Sequence, residues 1–335
     1  MSIQNTITTA VDTFEQNRRA TRWGVFTLAM GVLLFVVPAV ASSTLLNILI
    51  RGLIFGLFAM GYDFMYGYSG MVSFGHAALF GVGAYTFAIA FTFFGIQSIW
   101  IMVILAILVA ATYSLIVGFI AIRTREVYFA ILTLAFAEVF RILVIQFTDF
   151  TGGADGLTMN LPDWNIVPGL LSVSVYDTTS FYYIVVVCVG LVYLFLRRLT
   201  NSPMGAVLKG IRENINRLEY IGIDERRYRI IAFVVSGAVS GLAGALFAID
   251  ISFIGPNILE PVQSGEVILW TIIGGKATLI GPVLGGTLIY FIEETISNVI
   301  TWWLIPVGIF FVSVIIVAPE GLAGLIKRGL NRIRQ

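Results

Sequence analysis

The chain contains 335 residues, of which 58% are hydrophobic and 12% are charged, and its formal net charge is +1. Because soluble globular proteins carry about 25% charged residues, this composition excludes an ordinary soluble domain. Apolar runs long enough to cross a bilayer recur along the whole chain, whereas the short alternating segments of a β-barrel are absent. The composition therefore predicts an all-α polytopic integral membrane protein with about 8–10 transmembrane helices, some of them broken or re-entrant.

The rarest residue types and the missing motifs exclude several classes of protein. The single cysteine, Cys188, excludes an internal disulfide, and the single histidine, His76, argues against a His-rich metal or haem site. No basic patch with interleaved aromatic residues indicates nucleic acid. Since no G-x-x-x-x-G-K-[ST] phosphate loop and no Ser/His/Asp or H-E-x-x-H arrangement occurs, we expect neither an ATP site nor an enzyme active site on this chain.

Both ends of the chain are predicted to be cytoplasmic, on either side of a transmembrane domain at 23–318. Residues 1–22 end in arginines and 319–335 are rich in lysine and arginine, which is typical of the cytoplasmic side. Residues 23–41 form the first predicted span, and its end resembles a signal-peptidase site. A retained anchor is favoured over a cleaved signal, because the polar segment and the apolar run are both long for a signal peptide.

A glycine-rich segment follows the second predicted span, residues 45–66. The sequence GYSGMVSFGHAALFGVGAY at 67–85 concentrates glycine, which costs helix stability and therefore needs a reason. One reason is close helix–helix contact, and the other is a broken or re-entrant helix that lines a pathway. His76 lies inside this segment, where a hydrogen-bonded packing residue is favoured over a proton carrier.

The predicted span at 127–147 carries two charged residues near its middle. Glu138 and Arg141 are three positions apart, so they lie on one helical face and can pair with each other. Paired charges inside a membrane usually face the interior of the helix bundle or an aqueous cavity. Structural pairing alone and a role in a transport pathway both remain open.

Charge asymmetry assigns the two longest polar segments to opposite sides of the membrane. Residues 148–180 contain four aspartates but no lysine or arginine, so they are predicted to form an external loop. Residues 197–229 carry eight of the 20 lysines and arginines and are predicted to be cytoplasmic. Within them, Ser202 and Pro203 are typical of the start of a helix, and Gly222 of its end.

The helix predicted between Pro203 and Gly222 is amphipathic, although it lies outside the bilayer. Its apolar residues recur at helical spacing, at Met204, Val207, Leu208, Ile211, Ile215 and Leu218. An apolar stripe in this position needs a cover. The sequence leaves two covers open, namely a partner protein and the membrane ends of this chain.

A second glycine-rich segment, IIGGKATLIGPVLGG at 272–286, contains Lys276. The pair Gly281-Pro282 is predicted to break the helix. If residues 266–292 formed one full crossing, the basic tail would lie outside. A turn back at Gly281-Pro282, or an extra crossing further on, restores a cytoplasmic C-terminus.

Taken together, the motifs resemble the permease subunits of branched-chain amino acid ABC importers. The matching stretches are GYSGMVSFGHAALFGVGAY (67–85), YFAILTLAFAEVFR (128–141), TGGADGL (151–157), NSPMGAVLKGIRENINRLEYIGI (201–223), RYRIIAFVVSGAVSGLAGAL (227–246), GGKATLIGPVLGG (274–286) and PEGLAGLI (319–326). They follow the family order and cover most of the chain past residue 60, which makes the resemblance specific. Two positions depart from the family pattern, because Lys276 replaces a small or neutral residue and Glu320 replaces arginine or lysine.

The resemblance implies a helical translocation subunit that moves branched-chain or other hydrophobic amino acids into the cell. Its partners would be a second homologous permease subunit, two ABC ATPase subunits, an external solute-binding protein and membrane lipid. Its location would be the cytoplasmic (inner) membrane of a bacterium or archaeon. No cofactor is expected on this chain, because ATP would bind to the partner subunits.

The candidate site residues fall into two groups. The resemblance makes 201–223 similar to the family's cytoplasmic coupling loop, which docks on the ATPase. Its candidate residues are Pro203, Val207, Leu208, Ile211, Arg212, Glu213, Asn214, Ile215, Leu218 and Gly222. Glycine-rich broken helices can expose backbone groups to a zwitterionic solute, so both glycine-rich segments are predicted to line the pathway. The predicted pathway residues are Gly70, Ser73, Gly75, His76, Glu138, Arg141, Gly274, Gly275, Lys276 and Gly281.

Two alternative functions remain open. Permeases for urea and short amides share these motifs, although Gly281-Pro282-Val283 favours the amino acid group. A stand-alone ion-coupled carrier or channel is a different class of protein. The few charges in the spans argue against a proton-coupled carrier, which needs a chain of titratable groups. The exact cargo stays open.

Overall fold

The computed structural model describes residues 36–39, 41–124, 126–167, 171–173, 177–299, 302, 304–317, 321–322 and 324. The chain divides into two compact units, Met1–Leu46 and Asn47–Gln335. In the first unit the structure describes the 3-10 helix Val37–Ala39 and the first residues of a long helix. The predicted cytoplasmic segment 1–22 and most of the predicted tail 319–335 lie outside the described residues.

Helices make up most of the regular structure in the described part of the chain. They are α1 (Ser43–Ser69), α2 (His76–Thr92), α3 (Ile99–Ala121), α4 (Glu126–Gln146), α5 (Thr178–Thr200), α6 (Pro203–Glu213), α7 (Ile215–Tyr220), α8 (Glu225–Ile251), α9 (Pro261–Gly274), α10 (Ile280–Ser297) and α11 (Leu304–Val317). A helical turn at Thr148–Thr151 and 3-10 helices at Gly153–Asp155 and Pro256–Leu259 lie in the connections.

The strands that the structure describes are short and lie between the helices. β1 (Leu157–Thr158) pairs antiparallel with β4 (Phe253–Ile254), with Leu157 opposite Ile254. β2 (Trp164–Val167) pairs antiparallel with β3 (Leu171–Val173) inside the predicted external loop. Because the described strands are so short beside the helices, the predicted all-α class is confirmed.

Five of the described helices are long and apolar enough to cross a membrane, namely α1, α3, Val127–Gln146 of α4, α5 and α8. The multi-pass prediction is therefore confirmed. In α1 and α8, 67% of the most apolar window is buried inside the protein, against 33% in α3 and 28% in α4 and α5. Accordingly, α1 and α8 supply central helices, and the other three expose most of their apolar surface.

The first glycine-rich segment interrupts the helix, which is one of the two explanations that the sequence left open. α1 ends at Ser69, residues 70–75 are not helical, and α2 begins at His76. Gly70 has φ +79°, a left-handed conformation that suits the end of a helix. Gly75 also allows close packing, because an added Cβ would collide with the carbonyl oxygen of Thr133 in α4. The structure therefore shows both the break and the close packing, whereas the lining of a pathway stays a prediction.

The second glycine-rich segment turns the chain back on itself. α9 and α10 are antiparallel neighbours, since an added Cβ at Gly281 would meet the Gly274 carbonyl and one at Gly285 would meet that of Trp270. The predicted break at Gly281-Pro282 is misplaced, because the turn occupies residues 275–279. Pro282 instead lies in the first turn of α10, where its missing N–H has no helical partner to lose.

Small residues of α8 bring neighbouring helices into backbone contact, as the stripes of glycine, serine and alanine at 230–250 indicate. A Cβ added at Gly241 would meet Ala110 of α3, and one added at Gly244 would meet the Phe80 carbonyl of α2. Gly83 of α2 lies in turn against the backbone of Gly241. These contacts place α2, the helix that follows the break, directly beside α8.

Candidate coupling and translocation site

The polar loop between α5 and α8 contains two short helices rather than the single helix predicted. α6 begins at Pro203, as predicted, with Ser202 extended before it. The helix stops before Asn214, which is extended with φ −166° and ψ 106°, and whose side chain accepts a hydrogen bond from the N–H of Arg217. Asn214 therefore caps the second helix, α7. Gly222 has φ +80° just beyond α7, so the predicted stop is confirmed.

The apolar stripe of α6 is covered by this chain itself. Leu208 and Ile211 are 0% and 4% exposed, and α6 packs against α5 and α8. Val207, Ile215 and Leu218 are half-buried. The sequence left open whether a partner protein or the membrane ends of this chain would bury the stripe. The membrane ends bury its inner part. A partner at this loop would meet its outer side instead.

The outer side of the loop is mostly polar but carries two large apolar groups. Its exposed residues include Lys209, Arg212, Glu213, Asn214 and Arg217. Tyr220 and Ile221, at the end of α7, are 90% and 69% exposed. Adjacent apolar side chains on a polar surface outside the apolar spans offer a contact for another protein.

Arg212 attaches α6 to the end of α1. Its Nη1 donates a hydrogen bond of 2.6 Å to the carbonyl oxygen of Gly67, in the last turn of α1. Carbonyls at the C-terminal end of a helix lack helical partners and attract cations, so this contact satisfies both groups. The stem of Arg212 passes 3.2 Å from where a Cβ would lie on Gly70. Sequence reasoning placed Arg212 in the coupling loop but missed this contact.

Asp63 holds the turn between α9 and α10, and sequence reasoning missed it altogether. The carboxylate is fully buried. Oδ1 accepts from the N–H of Ala277 at 2.6 Å, while Oδ2 accepts from those of Thr278 at 3.2 Å and Leu279 at 3.0 Å. A lone acidic residue in an apolar span marks a functional position by default, and that signal was present in the sequence.

His76 lies at the break of the first glycine-rich segment and is fully buried. The hydroxyl of Ser236 donates to the Gly61 carbonyl at 2.6 Å, and the Nε2 of His76 lies 2.8 Å from the same hydroxyl oxygen. Because that hydroxyl has one hydrogen to give, Nε2 is the donor in the second contact. Nearby, the N–H of Gly75 donates to the hydroxyl of Ser73. His76 therefore joins α2 to α1 and α8, which agrees with the favoured packing role.

Two arginine contacts, of which that of Arg229 is buried, also escaped the sequence reasoning. Arg229 of α8 donates to the sulfur of Met71 and to the Ile122 carbonyl, so it connects the non-helical segment 70–75 to the end of α3. Arg51 of α1 and Asp250 of α8 form an ion pair of 2.7 Å. Both contacts join residues far apart in sequence, which periodicity alone does not reveal.

Glu138 and Arg141 form the predicted pair on one face of α4. Arg141 donates from Nη2 to Oε1 at 2.5 Å and from Nε to Oε2 at 2.9 Å, so two parallel bonds join them. Their side chains are 37% and 29% exposed, so the pair lies at the edge of this chain rather than in its interior. A role in the pathway stays a prediction.

The predicted pathway residues of the second segment lie in and around the turn that Asp63 holds. Gly274 and Gly275 are buried, Gly281 packs against Gly274, and Lys276 is exposed. An added Cβ at Gly67 would collide with the N–H of Ala277, so the two glycine-rich segments adjoin each other at the end of α1. The structure therefore brings these segments together with Arg212.

Bilayer-length helices, a broken helix, a reversed hairpin and a structured polar loop together define a multi-pass membrane protein of the permease class. The family model for the permease component of the branched-chain amino acid transport system matches residues 44–319. The chain therefore belongs to this family.

Individual relatives agree with the family match. The chain is 28% identical to the branched-chain amino acid transport permease LivM of Escherichia coli over 326 residues, which cover 92% of this chain and 76% of the relative. It is 25% identical to the permease LivH of the same species, over 82% of this chain and 92% of LivH. A probable LivM of Methanocaldococcus jannaschii is 30% identical over 59% of this chain and 57% of that protein. No solved structure gives a significant match.

Proposed function

We propose that this chain is the membrane-spanning translocation subunit of an ABC importer that moves branched-chain or other hydrophobic amino acids into the cell. The observation that carries the proposal is the match to both LivM and LivH, which are named as permeases of a high-affinity branched-chain amino acid transport system. In this assembly the chain is not itself an enzyme. Energy comes from ATP bound to two separate ATPase subunits.

A second homologous permease and an external solute-binding protein complete the proposed assembly. The chain resembles two different permeases of one bacterium, and both are named as permeases of a high-affinity branched-chain amino acid transport system. This similarity supports a second permease as a partner. The apolar surface that α3, α4 and α5 expose can contact both lipid and a second permease. The proposed location is the cytoplasmic membrane of a bacterium or archaeon.

The ATPase is proposed to dock on the outer side of the α6–α7 loop. Leu208 and Ile211 pack inside this chain, and Arg212 is bonded to α1. The contact is therefore supplied by Tyr220, Ile221 and the other exposed charged residues of the loop. Interface energies concentrate in a few large side chains such as tyrosine, so Tyr220 is the leading contact residue.

Radiolabelled uptake tests the proposal in cells that express the chain together with its partner subunits. Leucine and valine should accumulate, whereas urea should not, and uptake should stop when an ATPase subunit is replaced by a variant that cannot hydrolyse ATP. Uptake of urea instead of amino acids would reassign the cargo. Uptake by this chain alone, without an ATPase, would replace the proposal with an ion-coupled carrier or a channel.

The proposed orientation is tested by labelling single cysteines in a Cys188→Ser background. Charge asymmetry predicts that Asp155 lies outside and Asn214 in the cytoplasm. A membrane-impermeant thiol reagent should modify a cysteine at position 155 in intact cells and spare one at position 214. The reverse pattern would contradict the orientation and, with it, an ATPase docked on α6 and α7.

A further inference from the structure

The last two turns of α1 hold both α6 and the turn between α9 and α10. Arg212 of α6 donates to the carbonyl of Gly67, and Asp63, four residues earlier on α1, accepts three N–H groups from residues 277–279. Residues four apart lie on the same helical face. Arg212 also interacts electrostatically with Asp63. A continuous polar path therefore leads from the loop surface to the hairpin.

The turn depends on Asp63 for its conformation. Ala277 and Leu279 have φ +61° and +62°, a left-handed conformation that residues with a side chain adopt at an energetic cost. Their N–H groups and that of Thr278 point away from any helical partner, and the carboxylate of Asp63 satisfies all three. A movement of Asp63 would therefore move the turn or release it.

The backbones of α1 and α10 pack so closely that neither helix has room to shift against the other. An added Cβ at Gly67 would collide with Oδ1 of Asp63 and the N–H of Ala277. Further along α1, a Cβ at Gly56 would lie 2.8 Å from the Val283 carbonyl, and one at Gly286 would lie 2.9 Å from the backbone of Gly56. Helices packed backbone to backbone move together, because tightly packed interiors transmit strain.

We propose that Arg212 and Asp63 are positioning residues that transmit movement of α6 to the turn at 275–279. The inference rests on the proposed function, because it takes the movement of α6 to come from an ATPase that binds the loop. When the ATPase displaces α6, Arg212 draws the end of α1 with it, and Asp63 carries the turn. The hairpin of α9 and α10 then changes its position with each ATP cycle.

The test uses the complete transporter, with its ATPase subunits, reconstituted in proteoliposomes. Arg212→Met removes the donor and the charge but keeps the long stem that packs on Gly70. We expect this variant to bind the ATPase and hydrolyse ATP, while leucine uptake per ATP hydrolysed falls at least about fivefold, the lower end of typical coupling effects. Arg212→Lys, which can still donate to the Gly67 carbonyl, should restore part of that ratio. The control is Arg198→Met, the same change at an exposed arginine near the end of α5.

Asp63→Asn provides the second measurement, since it removes the charge and one of the two acceptor oxygens. If the two residues act in series, the double variant should lose no more uptake per ATP than the worse single variant. If Asp63→Asn fails to fold, the three arginine variants decide alone. Unchanged uptake per ATP in Arg212→Met would overturn the inference, and so would loss of ATPase binding, which would make Arg212 a docking residue. Failure of the unaltered chain to bind an ATPase would instead refute the proposed function.

Discussion

Two acidic groups in apolar helices, Asp63 of α1 and Glu138 of α4, are held in opposite ways. Glu138 pairs with Arg141 on the same helix, and both side chains remain partly exposed. Asp63 is fully buried, and the first of its donors, Ala277, lies 214 residues further along the chain. The Glu138 pair joins two positions of one helix, whereas Asp63 joins α1 to the hairpin of α9 and α10.

Burial of the carboxylate and its distance in sequence from its partners, rather than the number of bonds, decide how much each group contributes to stability. Ion pairs that water reaches contribute about 0–1 kcal/mol to stability. Each buried donor that loses its acceptor costs about 1–3 kcal/mol. The predicted pathway would bring water to the exposed side of the Glu138–Arg141 pair, which is then free to serve transport without holding the fold. The Asp63 contacts are required for the fold of the hairpin.

The largest expected effect comes from removing the carboxylate of Asp63. Asp63→Ala leaves three N–H groups without an acceptor, so we expect a loss of several kcal/mol, on the order of 3 kcal/mol or more. The midpoint of thermal unfolding in detergent should fall markedly, and less protein should insert. Glu138→Ala is the matched control and should leave the midpoint nearly unchanged. Equal effects of the two substitutions on the midpoint would contradict the distinction between Asp63 and Glu138.

A smaller effect is expected where the first break packs against α4. Gly75→Ala would place a Cβ against the Thr133 carbonyl, and overpacking of this kind costs about 1–3 kcal/mol. Gly190→Ala in α5 is the control, because an added Cβ there meets no atom within 4 Å. Thermal unfolding should separate the two variants. A Gly75→Ala protein as stable as the Gly190→Ala protein would show that the contact with α4 is loose.

The smallest effect on stability is expected for the Glu138–Arg141 pair. Glu138→Gln and Arg141→Gln should each change the free energy of unfolding by about 1 kcal/mol or less, since the predicted pathway brings water to the exposed side of the pair. A role in the pathway predicts that both single variants and the double variant lose leucine uptake while expression stays normal. If the double variant regains uptake, the pair is only structural.

Sequence reasoning predicted the features that depend on local spacing. The helical class, the start of α6 at Pro203 and the pairing of Glu138 with Arg141 follow from composition and helical periodicity. The glycines of 67–85 indicated a broken helix as one of two explanations. The break in the second segment was misplaced because Gly281-Pro282 fits the start of a helix as well as its end. Periodicity showed that α6 has an apolar stripe, but it does not reveal which surface covers that stripe.

The contacts of Asp63 and Arg212 were missed for a different physical reason. Both join groups that are remote in sequence and meet only after α1, α6 and α10 have packed together. The partners of these side chains are backbone carbonyl and N–H groups, which every residue possesses. No pattern of residue types can therefore identify them, although a lone aspartate in an apolar span does indicate that a partner exists.

The central claim is that the exposed side of the α6–α7 loop docks an ATPase, while its apolar stripe packs on this chain. Cysteines introduced singly at Tyr220, which is 90% exposed, and at Leu208, which is 0% exposed, test it in a Cys188→Ser background. Within the assembled transporter, a thiol-reactive photo-crosslinker at position 220 should join the chain to an ATPase subunit, and one at position 208 should not. Absence of any cross-link at 220 in a transporter that still takes up leucine would contradict the account.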